Sequence, residues 1–263
     1  MRRRRRWTFG AALLLGLLLV GPLGLLVTQL VAGETHWSSA SRASAGLAPS
    51  PAQASGAVVQ VYEARAWSWR GAFGVHTWIA TLAPGAEAYR LHQVLSWRRP
   101  TLVTRVTATP DRAWYGSAPR LLADYRGEAA AAMLDDIEAA VAAYPAASRY
   151  RVWPGPNSNT FTAWVVRRVA GLEVGLPVTA VGKDYLFDAR LAPAPAGQGV
   201  TVSLSGLLGL TLGRNDGLEV NLLGLAFGLD LRRPASSCRV SGGWACHRES
   251  RGGNVRLEAR ANR

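Results

Sequence analysis

At 263 residues and 28.1 kDa, with 49% apolar and 18% charged residues, the chain can bury a sizeable core, which excludes an intrinsically disordered protein. The net charge of +13 and pI near 11 invite a nucleic-acid reading, but the charge sits at the ends. Arg2 to Arg6 supply five positives, eight Arg follow from Arg232 onward against Glu249 and Glu258, and residues 7–231 hold 17 positives against 15 acids. A nearly neutral body excludes a broad phosphate-binding face, so no nucleic-acid partner is expected.

Lys183 is the only lysine, which reads as a GC-rich coding bias rather than a mechanism. Cys238 and Cys246 both lie in the last 26 residues, so no disulfide framework is available to the body. With His247 they lack a fourth ligand at sensible spacing, and neither a metal nor another cofactor is expected.

Residues 7–32 carry no charge. About 26 residues exceed the ~20 that a helix needs to cross a bilayer core. The Arg block before the run is expected to stay cytoplasmic, which puts the chain beyond it on the periplasmic side of the inner membrane as a single-pass protein. A cleaved signal peptide is the competing reading, but its apolar core would be shorter. Residues 33–56, rich in Ser, Ala, Gly and Pro, read as a flexible linker.

From 57 the composition changes to that of a globular domain. Residues 57–69, 75–83, 88–97 and 101–107 read as four strands joined by short links, hence an antiparallel meander. Residues 120–144 turn helical, with Leu134, Ile137 and Val141 at helical spacing until Pro145. Residues 149–153 read as a short strand or an extended lead-in. Asn157, Ser158 and Asn159 are good N-cap residues for a helix whose apolar stripe is Phe161, Trp164, Val165 and Val169, with Gly171 as its C-terminal cap. Residues 199–213 and 217–231 read as a hairpin about Asp216-Gly217, too short for spanning helices, and contact of that hairpin with a membrane stays open. Residues 232–263 read as a disordered basic tail.

Three polar features converge on one chemistry. Ser158 opens a helix, where backbone N–H groups and the dipole favour developing negative charge. His76 on the second strand could serve it as a base, and His92 on the third could orient that base. Asn157 or backbone N–H groups would hold an oxyanion. Asn159, Trp78 and Trp153 complete the candidate ligand contacts. The same residues also admit a structural reading, in which Asn157-Ser158-Asn159 only caps a helix, His76 is half-buried beside Trp78, and the Trp-rich face of Trp67, Trp69, Trp78 and Trp97 is core rather than a ligand platform.

The block Arg151 to Phe161 (RVWPGPNSNTF), together with Ala72 to Ala80 (AFGVHTWIA), resembles the bacterial domain-of-unknown-function 3750 family, with the similarity expected to run from about 57 to 231. That family carries no established activity. An early His-x-Trp strand and a late Asn-Cys-Asn-x-Phe at a helix start also resemble the circularly permuted papain-like proteins, among them permuted cell-wall peptidases, ubiquitin-like deconjugases and the lecithin-retinol acyltransferase group. The resemblance implies His76 as base and Ser158 in the place of the nucleophilic Cys, with His92 at a second His position. A hydroxyl, unlike a thiol, needs its base during attack.

The expected fold is therefore α+β, an antiparallel sheet with packed helices of permuted papain-like type, preceded by one transmembrane helix. The expected function is an envelope hydrolase or acyltransferase acting on an amide or ester. The alternative is a non-catalytic module binding a cell-wall or lipid ligand in the same cleft. No protein partner is expected.

Overall fold

In the computed structural model, residues 2–32, 36–230, 238–240 and 244–245 are described, with side chains described at 8–10, 12, 13, 15, 16, 19–30 and 36–230. Helix α1 covers Arg2–Ala32, with Pro22 inside it. Among the described residues, no helix is long and apolar enough to cross a membrane.

The body holds two antiparallel sheets and a few helices. Strands β1 (Val58–Arg65), β2 (Val75–Leu82), β3 (Arg90–Val94) and β4 (Val103–Thr107) form the expected meander. A short 3-10 turn, Ser68–Ala72, links the first two. The helical stretch begins later than the sequence suggests. Arg120–Arg126 is β5, paired with β1, so the sheet order is β4-β3-β2-β1-β5. Residues 120–126 contain adjacent leucines that fit a helix locally, but the free edge of β1 supplies a ladder and overrides that preference. Gly127, at φ +63, then turns the chain into α2 (Glu128–Ala131) and α3 (Leu134–Ala142).

Residues 149–153 form no strand, and α4 runs Ser158–Val166, ending before Gly171. The two runs read as single strands are each a hairpin. Strands β7 (Gly199–Leu204) and β8 (Leu208–Gly213) turn at Ser205-Gly206, and β9 (Gly217–Leu222) and β10 (Leu225–Leu229) turn at Leu223-Gly224. With β6 (Leu191–Pro193), β11 (Cys238–Val240) and β12 (Trp244–Ala245) they make a seven-stranded sheet in sequential order. The rest of the expected tail lies outside the described residues.

The first sheet is covered on both faces. Alternation along β1 and β2 sends Val59, Val61 and Ile79 towards α3 and α4, where Ile137, Val141 and Phe161 complete the main core. The opposite face packs Val58, Tyr62, Trp78, Leu91 and Trp114. The described part of the spacer, residues 36–56, is tied down rather than free. Asp111 accepts hydrogen bonds from Ser44 Oγ at 2.7 Å and from the backbone N–H groups of Leu47 and Ala48, and Tyr89 donates its hydroxyl to the Pro49 carbonyl. One buried carboxylate thus adds polar anchors to the small apolar contacts that Ala48 and Ala54 make with the same face.

Candidate functional site: an aromatic cavity beside helix α4

The Asn157 to Thr160 block works first as a clamp. Asn157, in an extended conformation, accepts from the N–H groups of Asn159 and Thr160 at 2.9 and 3.1 Å, while Thr160 Oγ1 accepts from Asn157 N–H, completing a capping box. Its Nδ2 donates to the carbonyls of Val152 and Val181. Gly182, at φ +94, lies where a Cβ would run into the Asn157 amide, so glycine is required there. Asn159 donates to the carbonyls of Val75 and Val181 and accepts from Thr77 Oγ1 at 3.0 Å. Both amides are thereby committed to fixing α4 against β2 and the 179–182 loop. An oxyanion would have to displace one of these bonds to use them.

Ser158 is the first residue of α4 and is buried. Its hydroxyl and N–H face the Tyr150 phenol. Burial pushes that phenol up, and the two Ser158 donors partly offset the rise.

His76 sits on the face of β2 opposite to Thr77. Thr77 bonds Asn159 and Thr162 of α4, whereas the His76 ring stacks on Trp114 with centroids 3.7 Å apart and on Trp78 at 5.8 Å. Nε2 of His76 lies 3.0 Å from Gln93 Oε1. With Nε2–H donated to that oxygen, the lone pair rests on Nδ1. Burial between the indoles pushes His76 down to about 4, the Gln93 bond opposing and Arg112 adding to the shift, so the imidazole is neutral at physiological pH. No hydrogen bond joins Ser158 to His76 among the described residues. They line one cavity from different sides.

His92 does not reach that cavity. It neighbours Gln93 on β3 and therefore points to the other face, where it meets Thr81 Oγ1 at 3.0 Å and lies 3.9 Å from Glu138 of α3. The orienting partner of His76 is Gln93, one position along. Burial pushes His92 down to about 4 and outweighs the opposing pull of Glu138. Trp78 is buried, with Nε1 donating to the Pro110 carbonyl, and belongs to the core. Trp153 is 46% exposed and lines the cavity.

The cavity itself measures about 720 Å³, within the range of small-molecule sites. Sequence reasoning finds Trp67, Trp69 and Trp97 as part of a Trp-rich face and misses Trp114, Tyr115 and Tyr150. These six come from four separate segments, and the exposure of Trp69 and Trp97, at 55% and 57%, marks that face as more than core. Arg70, stacked over Trp69 at 5.2 Å, is the one Arg, Lys, Asp or Glu among the described lining residues. No cluster of three or more His, Cys, Asp or Glu is placed to hold a metal ion among the described residues.

Comparison with known proteins places part of this architecture. Residues 56–185 match the profile of a family described as a protein of unknown function, DUF3750. Residues 56–185 are thus similar to the DUF3750 family. It takes in the whole first sheet, α2 to α4, and the Asn157 to Thr160 clamp with Gly182, and it stops before the second sheet. The DUF3750 similarity thus ends near Tyr185 instead of continuing to 231. No curated protein and no solved structure matches the chain.

Proposed function

We propose that the protein is a membrane-anchored envelope module that binds an amphipathic lipid or cell-wall molecule, its apolar part held between the indoles of the cavity. The observation carrying this reading is the cavity's wall: aromatic on several sides, without a carboxylate among the described residues, and with Arg70 at hand for an anionic or neutral head. Anchoring is read from the uncharged run 7–32 behind five Arg, which sets residues 36–230 on the periplasmic side of the inner membrane. Exposed apolar side chains along α1, among them Phe9, Val20 and Leu30, fit a lipid environment.

The test is tryptophan fluorescence of the full chain titrated with a bromine-labelled fatty acid, a contact quencher. Saturable quenching that weakens in Trp97→Ala and Trp67→Ala is expected. Quenching that is linear in quencher, or unchanged in both variants, contradicts the reading.

A second reading, a hydrolase or acyltransferase of permuted papain-like type, draws on one observation. Gln93 orients His76 as a base partner would, with Ser158 on the same cavity. Attack by Ser158 Oγ on a carbonyl carbon would need Nδ1 of His76 to take the hydroxyl proton, so the two groups would have to approach. The low proton affinity of His76 and the Ser158–Tyr150 contact weigh against it. A serine-directed fluorophosphonate that labels the native chain but not Ser158→Ala would favour this reading; equal labelling of both would dismiss it.

A further inference from the structure

The second sheet has its polarity reversed. A one-sided antiparallel sheet normally turns polar side chains to water and apolar ones inward. Here Thr201, Ser203, Thr211, Glu219 and Asn221 are buried, while Val202 and Leu204 of β7, Leu208 and Leu210 of β8, and Val220 and Leu222 of β9 point outward, each 43–46% exposed. The register pairs Val202 with Leu210, Leu210 with Val220, and Leu208 with Leu222, so the outward residues form unbroken apolar rows across three strands. Leu225 and Phe227 of β10, opposite Leu222 and Val220, extend them.

The buried polar groups are matched. Thr201 and Thr211 share a hydrogen bond at 2.9 Å, Asn221 Nδ2 donates to Asp184 and to the Gly206 carbonyl, and Glu219 pairs with Lys183. The sheet is therefore built polar-in, and the outward side chains of β7 to β9 stay exposed among the described residues. Strands of six residues at ~3.3 Å rise, three of them spaced ~4.8 Å, give a patch on the order of 300 Å², comparable to the largest apolar patch of a typical monomer, which is often functional.

Two features identify what covers it. Helix α1, itself lined with exposed apolar side chains, packs against β10, which puts two exposed apolar elements side by side. The turns of β7 to β10 also differ in charge between the two ends. The turns at Ser205-Gly206-Leu207 and Leu223-Gly224 carry no charge, whereas the turn at the other end bears exposed Arg214 and Asn215. The uncharged end shares Leu223 and Leu225 with the aromatic cavity.

We infer that the outward face of β7 to β10 rests in the acyl region of one bilayer leaflet, uncharged turns deepest, with the aromatic cavity opening beside it. Strands of six residues are shorter than the ~9–11 needed to span, so the sheet lies in the leaflet and does not cross it. The apolar-out, polar-in alternation is that of lipid-facing strands. The inference rests on the anchoring proposed above, and it makes the cavity's ligand a lipid able to enter laterally from the leaflet.

The test uses the full chain, with Cys238 and Cys246 replaced by Ser, reconstituted into phosphatidylethanolamine/phosphatidylglycerol vesicles. Single cysteines at Leu15, Leu210, Leu222 and Arg214 carry an environment-sensitive fluorophore. Spin-labelled acyl chains are expected to quench Leu15→Cys, Leu210→Cys and Leu222→Cys, while Arg214→Cys answers only to aqueous iodide. Quenching at Leu15→Cys with Leu210→Cys open to iodide overturns the sheet inference and leaves anchoring intact. Loss of lipid quenching at Leu15→Cys as well overturns both. Probes at 210 and 222 shielded from lipid and iodide alike would mean that a second copy covers the face, which also overturns it. Bromine-labelled fatty acid quenching of the cavity indoles is measured on the same samples, so the cavity reading succeeds or fails separately.

Discussion

Replacing Asn157 by Ala should cost folding stability before it costs anything else. The amide accepts from two N–H groups at the start of α4 and donates to the carbonyls of Val152 and Val181. Loss of an N-cap costs about 1 kcal/mol. The two donated bonds add about 1 kcal/mol each, and more where a buried carbonyl is left unpaired. Val152 is exposed enough for its carbonyl to find water, and Val181 keeps the Asn159 amide, so the penalty falls short of full desolvation. The expected total is about 2–4 kcal/mol, or a fall of ~1–2 M in the urea midpoint of the full chain followed by tryptophan fluorescence. Asn157→Ser keeps the capping oxygen and should recover about 1 kcal/mol of the loss. Asn157→Asp keeps it too, but turns a carboxylate oxygen on the two carbonyls and should unfold as readily as Asn157→Ala. If Asn157→Ala unfolds at the native midpoint while fatty-acid binding is lost, Asn157 is a ligand contact and not a clamp, and the reasoning fails.

Further consequences concern charge and tethering. His76 and His92 are both held near 4, so the native state keeps them neutral while the unfolded chain takes up protons below its ordinary value. Stability should fall as pH drops from ~6.5 to about 4, by on the order of 3 kcal/mol per imidazole, and His76→Gln should flatten that part of a stability-against-pH curve. Asp216 works in the opposite sense. Burial raises it to about 6, so its contribution is lost as pH rises through that value, and Asp216→Asn should remove a slope between ~4 and 6 in the same measurement. Breaking the buried Lys183–Glu219 pair with Glu219→Ala should cost about 3–5 kcal/mol in urea unfolding, whereas Lys183→Met with Glu219→Leu should recover most of it. Asp111→Ala should release residues 44–48, read as faster proteolytic cutting there with the body intact.

The elements legible in the sequence are those whose signal is local. Strands β1 to β4 are β-branched runs between turn residues, and α4 is announced by Asn157 three positions before Thr160. Strand β5 was not legible, because what makes Arg120–Arg126 a strand is the vacant edge of β1, some 60 positions away. The parity of β2 and β3 decides the site. His76 and Gln93 share one face and Thr77 and His92 the other, and a sequence shows that alternation but not which face holds the cavity. His92 was therefore read as the orienting group when its neighbour Gln93 occupies that place. The aromatic wall is only partly legible: Trp67, Trp69 and Trp97 stand out as a Trp-rich set, but their meeting with Trp114, Tyr115 and Tyr150 exists only in three dimensions, and each Trp taken singly looks like core. The polar residues at alternate positions of β7 to β9 were visible throughout, yet their inward direction is a property of the packed sheet.

The most direct measurement is photocrosslinking of the full chain in vesicles with a diazirine-bearing fatty acid, followed by peptide mapping. The account predicts adducts on the cavity segments, 67–74, 94–97, 114–115 and 150–153, competed by unlabelled fatty acid and lost in Trp97→Ala. Adducts confined to α1 and the outward face of the second sheet, with the cavity segments unlabelled, would contradict it.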